Sequence, residues 1–170
     1  MEPTPKRAAE SATEMVQVVL PNDANPLGFI LGGTVMHLID IAGAIACHRH
    51  TRTLLVTAAV DDLHFLHPIK VGDLIILKAR VTCVFTTSLE VRVDVYSEET
   101  LTGRRQLTSQ AYLTFVAIDR AGNKIHVPPL IVDTDDERQE CEEALRRRDA
   151  RLAKKTGNKS QTSSLRSIDR

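Results

Sequence analysis

Asn22-Asp23-Ala24-Asn25-Pro26-Leu27-Gly28-Phe29-Ile30-Leu31-Gly32-Gly33-Thr34-Val35-Met36-His37-Leu38-Ile39-Asp40-Ile41-Ala42-Gly43-Ala44-Ile45-Ala46 is the stretch from which the fold reads. A turn-rich loop ends in a double glycine and feeds a long apolar segment. The spacing predicts a helix from Gly33 or Thr34 to near Arg49, roughly four turns. Val35, Leu38, Ile39, Ala42, Ile45 and Ala46 recur at helical intervals, while Ile41 and Ala44 lie on the other side. A helix apolar nearly all round is a buried helix. Asp40 stands in its middle among apolar neighbours. An ionised carboxylate is costly to bury unless it is paired or employed, so Asp40 is the first candidate for chemistry.

The sequence around this helix predicts sheet. Glu14–Leu20 reads as a short strand stopped by Pro21. Leu54–Leu66 is rich in β-formers, with Asp61-Asp62 interrupting it like a bulge. Pro68–Asp73 carries turn chemistry, and Leu74–Val84 follows as a strand. Ser88–Glu98 alternates, with Leu89, Val91, Val93 and Val95 on one face and Glu90, Arg92 and Asp94 on the other. Arg104–Ile118 is a further strand, and Asp119–Asn123 a turn. The expected order is strand, buried helix, then four strands of an antiparallel meander. A strongly curved sheet wrapped around the helix buries it on every side. Such a sheet also leaves an edge strand that invites pairing with a second copy.

The domain is expected over residues 14–132. Residues 1–13 are polar and expected to be disordered, and 133–170 form a charged tail, helical from Asp135 to Ala153 and disordered beyond. Lys+Arg and Asp+Glu are 22 each. Zero net charge lacks the basic excess of a general nucleic-acid binder. No apolar run approaches the ~18 residues of a membrane span. Met1–Glu14 has no apolar core and three glutamates, unlike a secretory or transit peptide. Cys47, Cys83 and Cys141 are odd in number and widely spaced. They match neither a disulfide framework nor a zinc ligand set, and they suit a reducing cytosol.

Asp23-Ala24-Asn25 with Gly28, then Gly32-Gly33, then Leu38-Ile39-Asp40 with Ala42-Gly43-Ala44, resemble the acyl-CoA thioesterases of the hotdog fold, more narrowly the cytosolic acyl-CoA hydrolase type. Val60-Asp61, Phe65 with Pro68, Val71-Gly72-Asp73, Thr87-Ser88 and Phe115–Asp119 follow in the order that family shows. The resemblance covers about residues 14–130; single pieces of it are common, and the ordered set is specific. It implies an α+β hotdog fold and hydrolysis of fatty acyl-CoA to free acid and CoA, with no metal and no cofactor beyond the CoA of the substrate and product. It implies a cytoplasmic homo-oligomer, with a dimer as active unit and a trimer of dimers as assembly. It implies that Asp40 and the opposing subunit's Asn25 form the active site. It places Thr87 and Ser88 beside the pantetheine arm, and Thr57 joins them as an expected CoA contact. His50 at the end of the helix is a further candidate for the CoA phosphates. Phe29 and Leu31 replace residues common in relatives and make the tunnel mouth more apolar.

Thioester hydrolysis needs an activated water or nucleophile and a place for a developing oxyanion. Asp40 can act as general base on water or attack directly to give an anhydride. Asn25 supplies an amide, and the free N–H groups near Gly32, Gly33 and Thr34 supply oxyanion donors. Asp40 lies seven residues after Gly33, roughly 10 Å along the helix, so a partner must bring a second loop to it. Plainer readings stand beside these. Asp40 can pair with His37 one turn earlier, and Asn25 before Pro26 can be a turn former. His48-Arg49-His50 reads first as a helix C-terminal cap. His64 and His67 lie three apart on a strand and face opposite ways, which excludes a shared metal. Arg146-Arg147-Arg148 reads as a solvated face or a contact to phosphates or another subunit. Two rival functions are a hotdog dehydratase of hydroxyacyl thioesters and an acyl-CoA-binding sensor. The first needs an active-loop histidine, and none precedes His37.

Overall fold

The computed structural model describes residues 3–165, with side chains through Lys155. The elements are β1 (Lys6–Arg7), α1 (Ala8–Ser11), β2 (Thr13–Val18), a 3-10 turn (Pro21–Asp23), α2 (Gly32–Thr51), β3 (Leu54–Phe65), β4 (Leu74–Val84), β5 (Ser88–Glu98), β6 (Arg105–Ile118), β7 (Leu130–Ile131) and α3 (Asp135–Leu165). Five strands form one antiparallel sheet in the order β2-β4-β5-β6-β3. The α2 helix touches all five strands, as a helix wrapped by its sheet must. This is the expected α+β hotdog architecture.

Leu89, Val91, Val93 and Val95 of β5 are fully buried against Val35, Leu38, Ile39, Ala42 and Ala46 of α2, as the alternation predicts. The helix sits closest to the sheet at Gly43. A Cβ there would lie 3.1 Å from a Val91 methyl and 3.2 Å from the Phe115 ring. Gly43→Val is expected to destabilise the protein by roughly 1–3 kcal/mol through overpacking. Urea unfolding checks this, and an unchanged midpoint would show that the helix has room at that point.

Four expectations need correction. First, the strands do not form one meander. The three-residue link Phe85–Thr87 and the six-residue link Glu99–Arg104 keep β4, β5 and β6 adjacent. The eight residues Leu66–Asp73 span up to roughly 26 Å, against about 14 Å for three strand spacings, so β3 pairs with β6 at the far edge. Second, the segment 1–13 contains ordered structure. Lys6–Arg7 pairs in parallel with Leu130–Ile131. Lys6 Nζ donates to the carbonyls of Arg49 and His50, at 3.0 and 2.8 Å, and caps the end of α2. Third, α3 continues through Leu165 rather than ending near Ala153; the last part of the expected disordered tail, 166–170, lies outside the described residues. Fourth, Cys83 and Cys141 form a disulfide joining β4 to α3, with Cα atoms 4.7 Å apart. Cys47 alone is free, and it is buried in the core.

The α3 helix covers the outer face of the sheet mainly through charge. Arg80 Nη2 reaches Glu140 at 2.5 Å and Arg92 Nη1 reaches it at 2.9 Å. Arg147 forks onto the fully buried Glu90 at 3.0 and 2.9 Å. Arg151 pairs with Asp61 on β3. Glu90 sits opposite to Leu89 and Val91 as predicted, yet it is buried because α3 lies over it. No described helix is long and apolar enough to cross a membrane.

Candidate active site

The loop before α2 is held by its own backbone and by the β3–β4 connection. Leu31 N–H donates to Asp23 O at 2.8 Å, Ile30 N–H to Ile69 O at 2.9 Å and Val71 N–H to Gly28 O at 3.0 Å. Asn25 organises the tip. Its Oδ1 accepts from the N–H groups of Leu27 and Phe29, at 3.0 and 3.2 Å. Gly28 N–H donates back to Asn25 O at 2.9 Å, with φ at +80°, where glycine carries no Cβ penalty. The turn-former reading of Asn25 is therefore correct, and it has a chemical consequence. Oδ1 is occupied, so the amide presents its Nδ2 donor end, which has no hydrogen-bond partner among the described residues.

Asn25 lines a cavity of about 300 Å³ with Phe29, Ile30, Phe65, Leu66 and Ile69, and this cavity also reaches Gly32. Its wall is mainly apolar. The start of α2 opens beside it. The N-cap, Leu31, makes no side-chain cap bond. The first N–H groups of the helix, at Gly32, Gly33 and Thr34, thus lack an intrahelical acceptor and carry the positive end of the helix dipole. A Cβ on Gly33 would meet nothing within 4 Å, so this end is open to an approaching group.

Asp40 lies about two turns further along, on the side of α2 that faces β3. It is half-buried, and its Oδ1 accepts from Thr57 Oγ1 at 2.7 Å. The ion pair with His37, the plainer reading of Asp40, is not formed among the described residues. Thr57, a candidate CoA contact by sequence, touches the candidate catalytic carboxylate. It sits beside a bulge, where the β3–β6 register shifts between Thr57 and Ala59. Its hydroxyl is a lone polar group in Leu54-Leu55-Val56-Thr57-Ala58-Ala59, which is the signal that sequence reasoning could have used. Asn25 and the helix start line one cavity, and Asp40 with Thr57 is not part of its lining.

Thr87 and Ser88 lie at the β4–β5 turn. Ser88 is level with Val116 and Val56, two strands away from β3. Strand alternation turns it away from the helix-facing Leu89, so it does not join Asp40 within a chain. His50 is not available to CoA. It is fully buried, with Nε2 2.9 Å from Pro128 O. Burial holds its imidazole below the ordinary histidine range, opposed by that backbone bond. Arg49 is taken up by Ala12 O and Thr13 Oγ1, at 2.8 and 3.0 Å. Arg147 and Arg148 sit over the Tyr112 and Phe85 rings, at 3.8 and 5.0 Å from the centroids, rather than on a bare solvated face.

Comparison with known proteins places this geometry in a class. Residues 27–103 match the sequence profile described as the thioesterase superfamily. The chain is 38% identical over 135 residues to the uncharacterized acyl-CoA thioester hydrolase YkhA of Bacillus subtilis, covering 79% of this chain and 78% of that protein. The chain belongs to the thioesterase superfamily. Within it, the chain is similar to the acyl-CoA hydrolases. It is 31% identical to the human cytosolic acyl coenzyme A thioester hydrolase over 93% of its own length and 42% of that longer protein. Among solved structures, the acyl-CoA hydrolase of Staphylococcus aureus in complex with butyryl coenzyme A, coenzyme A and coenzyme A disulfide superposes with a TM-score of 0.84 at 34% identity, covering 94% and 98% of the two chains. A hexameric acyl-CoA thioesterase superposes equally well, TM-score 0.84 at 36% identity, over 89% and 97%. Three more structures of the Staphylococcus aureus hydrolase each carry one alanine, in place of an asparagine, of an aspartate 15 residues later, or of a threonine 17 residues after that. Asn25, Asp40 and Thr57 stand at the same two intervals.

Proposed function

We propose that this protein hydrolyses acyl-CoA thioesters, with Asp40 of one protomer as general base and Asn25 of its partner holding the thioester carbonyl. The observation that carries this reading is the Asp40–Thr57 pair, which faces an open apolar edge. Thr57 occupies Oδ1 and leaves Oδ2 to take a proton from water. The water oxygen then adds to the thioester carbon. Asn25 Nδ2 and the N–H groups of Gly32 and Gly33 offer donors where the carbonyl oxygen becomes negative. Collapse expels the CoA thiolate, which takes up a proton, and the products are a carboxylic acid and CoA. Water is the only co-reactant in this scheme, so it calls for no cofactor.

A dimer completes the site. Leu54, Val56, Val60 and Phe65 are exposed along β3, with Met36 exposed on the adjoining face of α2. An edge strand with this apolar content is a surface for a second copy, and Asp40 meets this strand through Thr57. Assembly as a trimer of dimers and a cytoplasmic location belong to the same reading. Support comes from the hexameric relative for the assembly and from the human cytosolic relative for the location.

A hydrolysis screen over short, medium and long acyl-CoAs, read by free-thiol release, tests the activity. Steady thiol release from at least one chain length is expected. Tight acyl-CoA binding without any thiol release would make the protein a sensor instead.

A further inference from the structure

The Cys83–Cys141 bond takes no part in the proposed hydrolysis. It ties α3 to the outer face of the sheet, away from Asp40 and Asn25. Its two sulfurs are in different surroundings. Cys83 is buried on β4, whereas Cys141 is only partly buried. Cys141 also lines a groove of about 300 Å³ with Phe85, Val127, Pro129, Leu130 and Val132, and Cys83 does not. A small thiol entering that groove approaches the bond from the Cys141 side.

The bond also holds a helix that has little else of its kind. Ala144 is the one fully buried apolar side chain among the described residues of α3, and Leu145 is largely exposed. Its other anchors are the ion pairs to Arg80, Arg92, Glu90 and Asp61. Arg80 and Glu140 keep partial exposure, and water and salt weaken such pairs. The covalent link therefore holds α3 together with the buried Arg147–Glu90 pair.

We propose that Cys83–Cys141 is a reversible thiol–disulfide site, open to small thiols from the Cys141 side, whose state sets how firmly α3 is docked. A small thiolate attacks Cys141 Sγ, a mixed disulfide forms, and Cys83 leaves as a thiolate that takes up a proton. A second thiolate attacks the mixed disulfide, releasing the small disulfide and the Cys141 thiol. The reverse path uses the same small disulfide as oxidant. Coenzyme A, the thiol released by the proposed hydrolysis, is one such thiol. Because Arg151 of α3 holds Asp61 on β3, release of α3 also removes a support from the strand that carries Thr57.

The test uses the full chain, purified without reductant. Native iodoacetamide labelling and intact mass are expected to show Cys83 and Cys141 protected. Addition of coenzyme A or of pantetheine, without denaturant, is expected to give a mixed disulfide on Cys141 and then two alkylatable thiols. Equal rates with the two reagents assign the site to the thiol arm, and a faster rate with coenzyme A assigns it to the whole nucleotide. Trypsin cleavage between Arg146 and Lys155 is expected to run about tenfold faster after reduction, since a local opening has lost its tether. Cys83→Ser protein is expected to be cut at the faster rate with or without thiol. Immediate alkylation of both cysteines in the unreduced protein overturns the proposal. So does a bond that yields to small thiols only after unfolding, or an α3 cleaved equally fast in both states.

Discussion

Replacing Asp40 with asparagine is expected to lower kcat for acyl-CoA by about 10²–10⁴-fold, the range that a positioned general base contributes. The change keeps size and shape. Thr57 can still donate to the side-chain oxygen, so the local hydrogen bond at 2.7 Å survives in kind. What disappears is the second oxygen's capacity to accept a proton from water. Because Asp40 is half-buried and pairs with nothing but Thr57 among the described residues, the thermal midpoint is expected to stay near that of the wild type. KM is expected to change far less than kcat, since binding rests on the partner loop and the apolar cavity. Steady-state kinetics on the best substrate of the chain-length screen provides the check. A loss of less than tenfold in a folded protein would remove Asp40 from the chemistry.

Replacing Arg147 with alanine is expected to cost about 3–5 kcal/mol of stability, the range for leaving one partner of a buried ion pair alone. Glu90 is nearly inaccessible, at 1% side-chain exposure, and Arg147 keeps only 16%. Arg147 supplies two N–H groups to this carboxylate, and Thr82 Oγ1 supplies one hydroxyl at 2.7 Å. Without Arg147, the carboxylate keeps the hydroxyl and loses its counter-charge. The guanidinium also lies over the Tyr112 ring, so truncation removes a stacking contact as well. Urea unfolding at neutral pH measures the cost. Replacing Glu90 and Arg147 together with leucine is expected to recover much of the loss, because no buried charge then remains. A single-variant cost below about 1 kcal/mol would show that water reaches Glu90 and that the pair behaves as a surface pair.

Much of the fold was legible because period and punctuation agree along the chain. The bounds of β5 follow from alternation in Ser88–Glu98, and those of β4 from an apolar, β-rich run between Gly72-Asp73 and the Phe85–Thr87 turn. The bulge expected at Asp61-Asp62 is present: the register shifts between Asp61 and His64, and Asp62 has φ at +47°. What was not legible depends on contacts between residues far apart. Lys6 is an ordinary polar-terminus lysine until it meets the carbonyls of Arg49 and His50, over 40 residues away. Cys83 and Cys141, 58 residues apart, look unrelated until α3 folds back over β4. His50 has the composition of a phosphate contact, yet its place in the helix turns it inward to Pro128. In the candidate site, Asp40 stood out as a carboxylate in an apolar helix, whereas Asn25 was singled out by the ordered set of family-like motifs. The contact of Thr57 with Asp40 was not legible because the pairing of α2 with β3 crosses 17 residues.

The central claim is that two chains share each site, and mixing two inactive variants tests it most directly. Asp40→Ala and Asn25→Ala proteins are combined in equal amounts, and subunit exchange is verified by mass-tagged heterodimers. Half of the dimers are then mixed, and each mixed dimer keeps one site with both groups intact. Acyl-CoA hydrolysis is therefore expected to rise to about one quarter of the wild-type rate. Exchange proven by mass, with a rate no greater than the average of the two parents, would contradict the shared site and return Asp40 and Asn25 to separate roles.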